Sequence, residues 1–325
     1  AVEYLLPRYA RAAEGDLSGV IVVVPGARAG RRLLELLVHA AEAAKLLFTP
    51  PQIVTEGQLP ELLYEPQRPL APILVQQLTW LRALQQAPPA QLRPLVPHPP
   101  AANDPLRWLE LAELFRKQHA EFAADAIDFT EVLKRCNRWE GFAETDRWQT
   151  LCKLQRSYLD QLDALHLWDA QTARLVAIQK KEPQTDCDVV LLGMVDMNTA
   201  LRRMLDLVAP HVTALVVAPQ EEAARFDDYG CLIPEAWQQL PLPVAEENLV
   251  RVDGPADQAG AVVDWLRELG GRYAADEIVV GVADEALVPQ LQRELAQQKL
   301  TSRWVEGKKV AESAPFRLLD VATRY

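Results

Sequence analysis

Cysteine is scarce in this sequence. The four present, Cys136, Cys152, Cys187 and Cys231, form no CxxC pair and share no regular spacing. That argues against a disulfide framework or zinc site and points to a reducing, cytoplasmic compartment. No apolar stretch reaches the ~20 residues of a membrane span. The opening AVEYLLPRYA, with Glu3 and Arg8 close together, is not a signal peptide. Ser18 and Ser157 lack the G-x-S-x-G elbow of serine hydrolases. His39, His98, His119, His166 and His211 share no ligand spacing and read as isolated. An excess of positive charge is missing too: the net charge is −11. Nucleic-acid binding would therefore need a local basic groove rather than the whole surface.

What is present is ample core material. Hydrophobic residues make up 49% of 325, with 24% charged, enough for one large domain or two ordinary ones. Residues 20–24 (VIVVV) are a β-branched run that fits a strand buried on both faces. Pro25-Gly26 ends it, and 28–45 reads as a helix with Leu33, Leu34, Leu37 and Val38 on one face. Residues 52–55 form a short second strand, and a helix begins over Gln58 to Tyr64. From 71 to 181 helical patterns dominate, at 71–86, 104–123, 128–137 and 144–179 with a break. The Pro-rich stretch 88–105 reads as an extended loop, and Trp80, Trp108, Trp139, Trp148 and Trp168 as core residues. Strands return at 188–192 and 212–217, then at Val250 to Val252, 277–283 and near Arg303 to Val305. Helices fall at 198–208, 255–269 and 284–298. Strands alternating with helices imply a mostly parallel sheet, with the helical block inserted into it. The closing FRLLDVATRY carries no helix stop signal, so a piece of a longer chain is expected.

The segment VIVVVPGARAGRRLLELL occupies the place of a phosphate-binding loop. A working loop reads GxxxxGK[ST]: backbone N–H groups cradle phosphate, Lys reaches the β and γ phosphates, and the hydroxyl ligates Mg²⁺. Here Gly26 and Gly30 are one residue too close, and Arg31 and Arg32 stand at the Lys and hydroxyl positions. Arg is not an equivalent of Lys and cannot ligate Mg²⁺. The expectation is a tight turn with solvated arginines, or a weak anion site at Arg28, Arg31 and Arg32, without hydrolysis. The strand DVVLL runs into Gly193-Met194 rather than Asp-Glu, which leaves Asp196 as a turn or N-cap residue.

Four segments, VVVPGARAGRRLLELL, PPQIVTEGQLPELL, DVVLLGMVDMNTALRRMLDLV and VVAPQEEAARFDDYG, come in the order of superfamily I helicase core segments. The text from Ala275 to Val321 resembles the opening of the second motor domain of such proteins. The chain most resembles the AddB-like subunits of bacterial helicase–nuclease complexes, which are inactivated superfamily I helicases. That resemblance implies a RecA-like (P-loop NTPase-like) α/β core over 1–70 and 182–250, a helical insertion over 71–181, and the start of a second α/β domain over 251–325. It also implies a role in DNA repair and recombination: binding or scanning DNA, or docking a helicase partner, without ATP hydrolysis. Thr55 matches the polar residue of the DNA-contact motif, and Gln220 the γ-phosphate-sensing Gln. The nuclease domain of such subunits, of the PD-(D/E)XK type, has no counterpart in these residues, nor do the cluster cysteines that lie near it.

Arg303, Lys308 and Lys309 could touch a phosphate backbone, with Trp304 beside them. The pairs Glu221-Glu222 and Asp227-Asp228 read as a solvated loop. No cofactor, metal or membrane partner is expected. Two other readings remain: a small-molecule enzyme on a doubly wound fold, and an interaction module docking through its Trp-rich helical block.

Overall fold

A computed structural model describes residues 1–11, 14–238, 240–241, 244–304 and 310–323. The chain divides into two compact units, Ala1–Leu240 and Pro241–Tyr325. The first is a mixed α/β unit. It begins with α1 (Val2–Tyr9), β1 (Ala10–Arg11), β2 (Glu14–Asp16), β3 (Val20–Val24), α2 (Ala27–Ala43), β4 (Leu47–Thr49) and β5 (Gln52–Thr55). Helices α3 (Ile73–Gln86), α4 (Pro89–Leu92), α5 (Pro105–Ala124), α6 (Phe129–Cys136), α7 (Thr145–Ala164) and α8 (Ala170–Lys180) follow. The unit closes with β6 (Asp188–Leu192), α9 (Thr199–Leu207), β7 (Val212–Leu215) and α10 (Pro234–Gln238).

The main sheet is parallel, in the order β5-β3-β6-β7. Both neighbours of β3 are thus strands that flank the helical block in sequence. The β-branched run explains why β3 sits centrally, since each face of a parallel sheet must be covered. Side chains alternate: Ile21 and Val23 join Leu191, Met204 and Leu205 on one face, while Val20, Val22 and Val24 join Leu33, Leu37 and Leu5 on the other. The buried stripe of α2 is Gly30, Leu33, Leu37 and Ala41, so Leu34 and Val38 point outward, contrary to the sequence reading. The helix is rotated because Gly30 meets the sheet most closely.

Three helices of the block, α5, α6 and α8, start on acidic caps. Asp104, Asp128 and Asp169 each accept from the backbone N–H three residues on. Their shared core is aromatic, with Trp80 stacked on Tyr158 at 4.5 Å between centroids and Phe115 and Phe129 close by. Residues 88–105 hold the single-turn α4, started by Pro89, rather than running extended throughout. The expected helix from Gln58 resolves into two 3₁₀ turns, Glu56–Gln58 and Pro60–Leu62, because Pro60 interrupts it.

The second unit contains α11 (Pro255–Glu268), α12 (Val288–Gln297) and α13 (Ala314–Thr323). Among the described residues it holds no strand, which corrects the expectation at 250–252, 277–283 and 303–304. Around 278–283 the side chains still alternate, and Val280 and Val282 pack against Val263, Leu291 and Leu295. The pattern was right, but no neighbouring strand among the described residues supplies a ladder. No helix among the described residues is long and apolar enough to cross a membrane.

Candidate functional site

The junction from β3 to α2 determines what the glycines can do. Gly26 is the N-cap in an extended conformation, and the helix starts at Ala27. Gly30 N–H donates to the Gly26 carbonyl at 3.2 Å, an ordinary helical bond. A Cβ on Gly30 would lie 3.0 Å from Ile53 Cγ2 and 3.4 Å from Val24 Cγ2. Gly30 therefore serves close packing of helix on sheet. The chain passes from strand to helix through Pro25 and Gly26 alone, with no loop to wrap a triphosphate.

Arg28, Arg31 and Arg32 are exposed on the first turns of α2. Arg32 pairs with Glu35 at 3.0 Å. Among the described residues, Arg28 and Arg31 have no ion-pair partner, although the helix N-terminus already carries partial positive charge. Both the exposed cations and the dipole favour an anion there.

Thr55 ends β5. Its backbone N–H and its hydroxyl both donate to Gln58 Oε1, at 3.0 and 3.1 Å. Thr55, Gln58, Gly30, Arg31, Val24 and Ile53 line a cavity of 230 Å³. This is below the roughly 300–1,000 Å³ typical of small-molecule pockets. The structure thus brings Gly30, Arg31 and Thr55 together in one small, open cleft, while Arg28 and Arg32 do not line it.

Compared with known proteins, the chain matches no family model and no curated protein.

The carboxyl end of β6 turns through Gly193, whose φ of +62° suits glycine. Met194, which follows it, is buried in the core. Asp196 accepts from Met197 N–H at 2.7 Å, and the cap of α9 is Asn198, bonded to Leu201 N–H at 2.9 Å. Sequence reasoning missed Glu56, immediately after β5. Burial raises its carboxyl above the usual range, and nearby Asp196 adds to this, although a backbone bond from Asn198 opposes it. The only signal in the sequence was its place one residue beyond a strand end.

Other candidates serve structure. Asp227 pairs with Arg202 at 2.7 Å and accepts the backbone N–H groups of Tyr229 and Cys231, so it organises a turn rather than sitting in a solvated loop. Glu222 pairs with Arg225. Gln220 is exposed. His119 is not isolated: it lies 3.2 Å from Asp169 and 2.9 Å from Gln155, inside the helical core. Burial pulls the Asp169 carboxyl upward, but His119 and the amide and hydroxyl of Thr172 outweigh it and hold it below the usual range.

In the second unit, Arg303 and Trp304 line an apolar cavity of 790 Å³ with Tyr273, Leu266, Leu291 and Leu295. Lys308 and Lys309 lie outside the described residues. All four cysteines are free, and no group of three or more potential metal ligands occurs among the described residues. Trp139, expected in the core, is 66% exposed.

Proposed function

We propose that the chain is a catalytically inactive, superfamily I helicase-like region of a DNA repair and recombination subunit. It binds DNA, or docks a helicase partner, without hydrolysing ATP. The observation that carries this reading is the β3–α2 junction: two unpartnered arginines stand on a helix that starts too early to enclose a triphosphate. The order of the sequence segments supports it, as does the position of 71–181 between two strands of one sheet. On this reading, Arg28 and Arg31 neutralise backbone phosphates, and their anion preference survives the loss of the Lys and hydroxyl. Calorimetric titration with Mg·ATP, alongside anisotropy of labelled single-stranded and duplex DNA, tests it. DNA binding with no ATP heat supports the proposal; tight Mg²⁺-dependent ATP binding overturns it.

One observation favours a second reading, a small-molecule enzyme on a doubly wound fold. The strand order reverses direction between β3 and β6, and such switch points bind ligands outside the carboxyl ends of the strands. Glu56, with its raised pKa, and Asp196 lie at those ends. Loss of a small-molecule activity in Glu56→Gln, with DNA affinity unchanged, would select this reading.

A further inference from the structure

Trp139 stands out from the other tryptophans of the helical block. Trp80 and Trp108 are buried and Trp148 and Trp168 half-buried, whereas Trp139 projects from the turn joining α6 to α7. The turn is built rather than loose. Trp139 N–H donates to the Cys136 carbonyl at 2.9 Å and Phe142 N–H to the Trp139 carbonyl at 3.3 Å, while Gly141 supplies a φ of +79°. Thr145 Oγ1 donates to Asn137 Oδ1 at 3.4 Å across its base. An indole held out in water on a fixed turn exposes apolar area that folding has not used.

Its neighbours at the end of α6 and in the turn after it are cationic. Lys134, Arg135 and Arg138 all bear on Glu131, whose carboxyl is held below its usual range by Arg135 first and by the other two in addition. Arg135 is engaged with Glu131 at 3.0 Å. Among the described residues, Lys134 and Arg138 have no ion-pair partner, and both are exposed. The nearby acids are Asp128 and Glu131 at the start of α6, Glu140, which is exposed, Asp146, and Glu144, which pairs with Arg147. Two cations four residues apart, neither in an ion pair and both next to an exposed indole, match the two needs of single-stranded nucleic-acid binding: a stacking surface for bases and positive charge for the backbone.

We propose that the turn between α6 and α7 is a contact for single-stranded DNA, with Trp139 stacking on a base and Lys134 and Arg138 holding the flanking phosphates. This rests on the DNA-binding reading above and adds a site that lies away from α2. Binding here is tolerant of sequence, because every base offers a π-face.

The test is anisotropy of labelled oligothymidine with the whole chain and three variants: Trp139→Ala, Trp139→Phe, and Lys134→Glu with Arg138→Glu. Trp139→Ala should weaken binding about 5- to 150-fold, the range for losing one stacked base, while Trp139→Phe keeps most of the affinity. The double charge reversal should weaken binding and lower the salt slope by about 1.4, at ~0.7 per lost phosphate contact on a single strand. Trp139 is exposed, so its variants should melt as the wild type does, while the charge reversal loses the attraction to Glu131 and is read beside its own melt, which keeps a fold defect separable. If the wild type binds and Trp139→Ala binds equally well, this site is refuted while the DNA-binding reading stands; that result would also follow if the turn docks a protein instead. If the wild type does not bind, both fall.

Discussion

Replacing Asp169 with Ala removes a helix cap, which includes a bond from the Thr172 hydroxyl at 3.2 Å, and the partner of His119. Its carboxylate caps α8 by accepting from Thr172 N–H at 2.6 Å, and it faces His119 Nε2 at 3.2 Å. The side chains concerned are buried, Asp169 at 1% exposure and His119 at 6%. Loss of an N-cap costs about 0.5–2 kcal/mol. A buried imidazole nitrogen left without its partner costs about 1–3 kcal/mol. The two terms share one side chain and do not strictly add, so a loss of about 3 kcal/mol is expected. At roughly 2–4 °C per kcal/mol for a domain of this size, Tm should fall by about 6–12 °C. Urea unfolding followed by tryptophan fluorescence reads this directly, since Trp80 lies 5.9 Å from the His119 ring. The same residue sets a pH dependence. Its folded pKa lies below the unfolded value, so its contribution is fully present above the unfolded value and drains away as pH falls through the folded one. The wild type should lose stability below about pH 4, and Asp169→Asn, which has no such carboxyl, should lose less there. A change within ~0.5 kcal/mol for Asp169→Ala, or identical acid limbs for wild type and Asp169→Asn, would refute the reasoning.

Three further outcomes follow from the geometry. Restoring the missing motif residues with Arg31→Lys and Arg32→Thr should yield no Mg·ATP binding by calorimetry, because α2 begins at Ala27 and leaves no loop; measurable binding would contradict this. Gly230→Ala forces a φ of +77° on alanine and puts its Cβ 2.8 Å from Val216 Cγ2 and 3.2 Å from Ala214 Cβ. Strain and overpacking together should cost about 2–4 kcal/mol in urea unfolding, and a cost under ~1 kcal/mol would show that the turn relaxes freely. Gly193→Ala, whose φ of +62° is similar but whose Cβ would meet nothing, should cost only about 1–2 kcal/mol, so the difference between the two isolates the packing term.

The parts of the fold legible in the sequence were those fixed by local chemistry. The β-branched runs at 20–24 and 188–192 gave strands with the expected bounds, since no other conformation buries them so well. The helices expected from 104 and 128 do begin there, on Asp104 and Asp128, because capping is a three-residue interaction, whereas the start at Asp169 fell inside the expected run 144–179. What needed distant partners was not legible. The extended run from Ile278 carries a strand's alternation, but a ladder depends on a neighbour that no local pattern reveals. The strands β1, β2 and β4, two or three residues each, are too short to show a period. His119 and Asp169 are 50 residues apart, so their pairing had no sequence signature. Trp139 is chemically identical to the core tryptophans around it, and only its place in the turn between α6 and α7 leaves it exposed. Gly30 was visible as a glycine at the right place, but its reason, the approach of Ile53, comes from the β3–β5 pairing.

The proposed function places a DNA-binding surface beside a degenerate phosphate loop that takes no nucleotide. The most direct test is DNA affinity at 50 and 200 mM salt, roughly the range over which counterion release is read, with Mg·ATP titrated into the same samples. If Arg28 and Arg31 each neutralise a phosphate of a single strand, affinity should fall by at least about sevenfold across that range, and Arg28→Glu with Arg31→Glu should abolish that share of the fall. ATP should change neither value. Salt-independent binding, or affinity that responds to Mg·ATP, would contradict the claim.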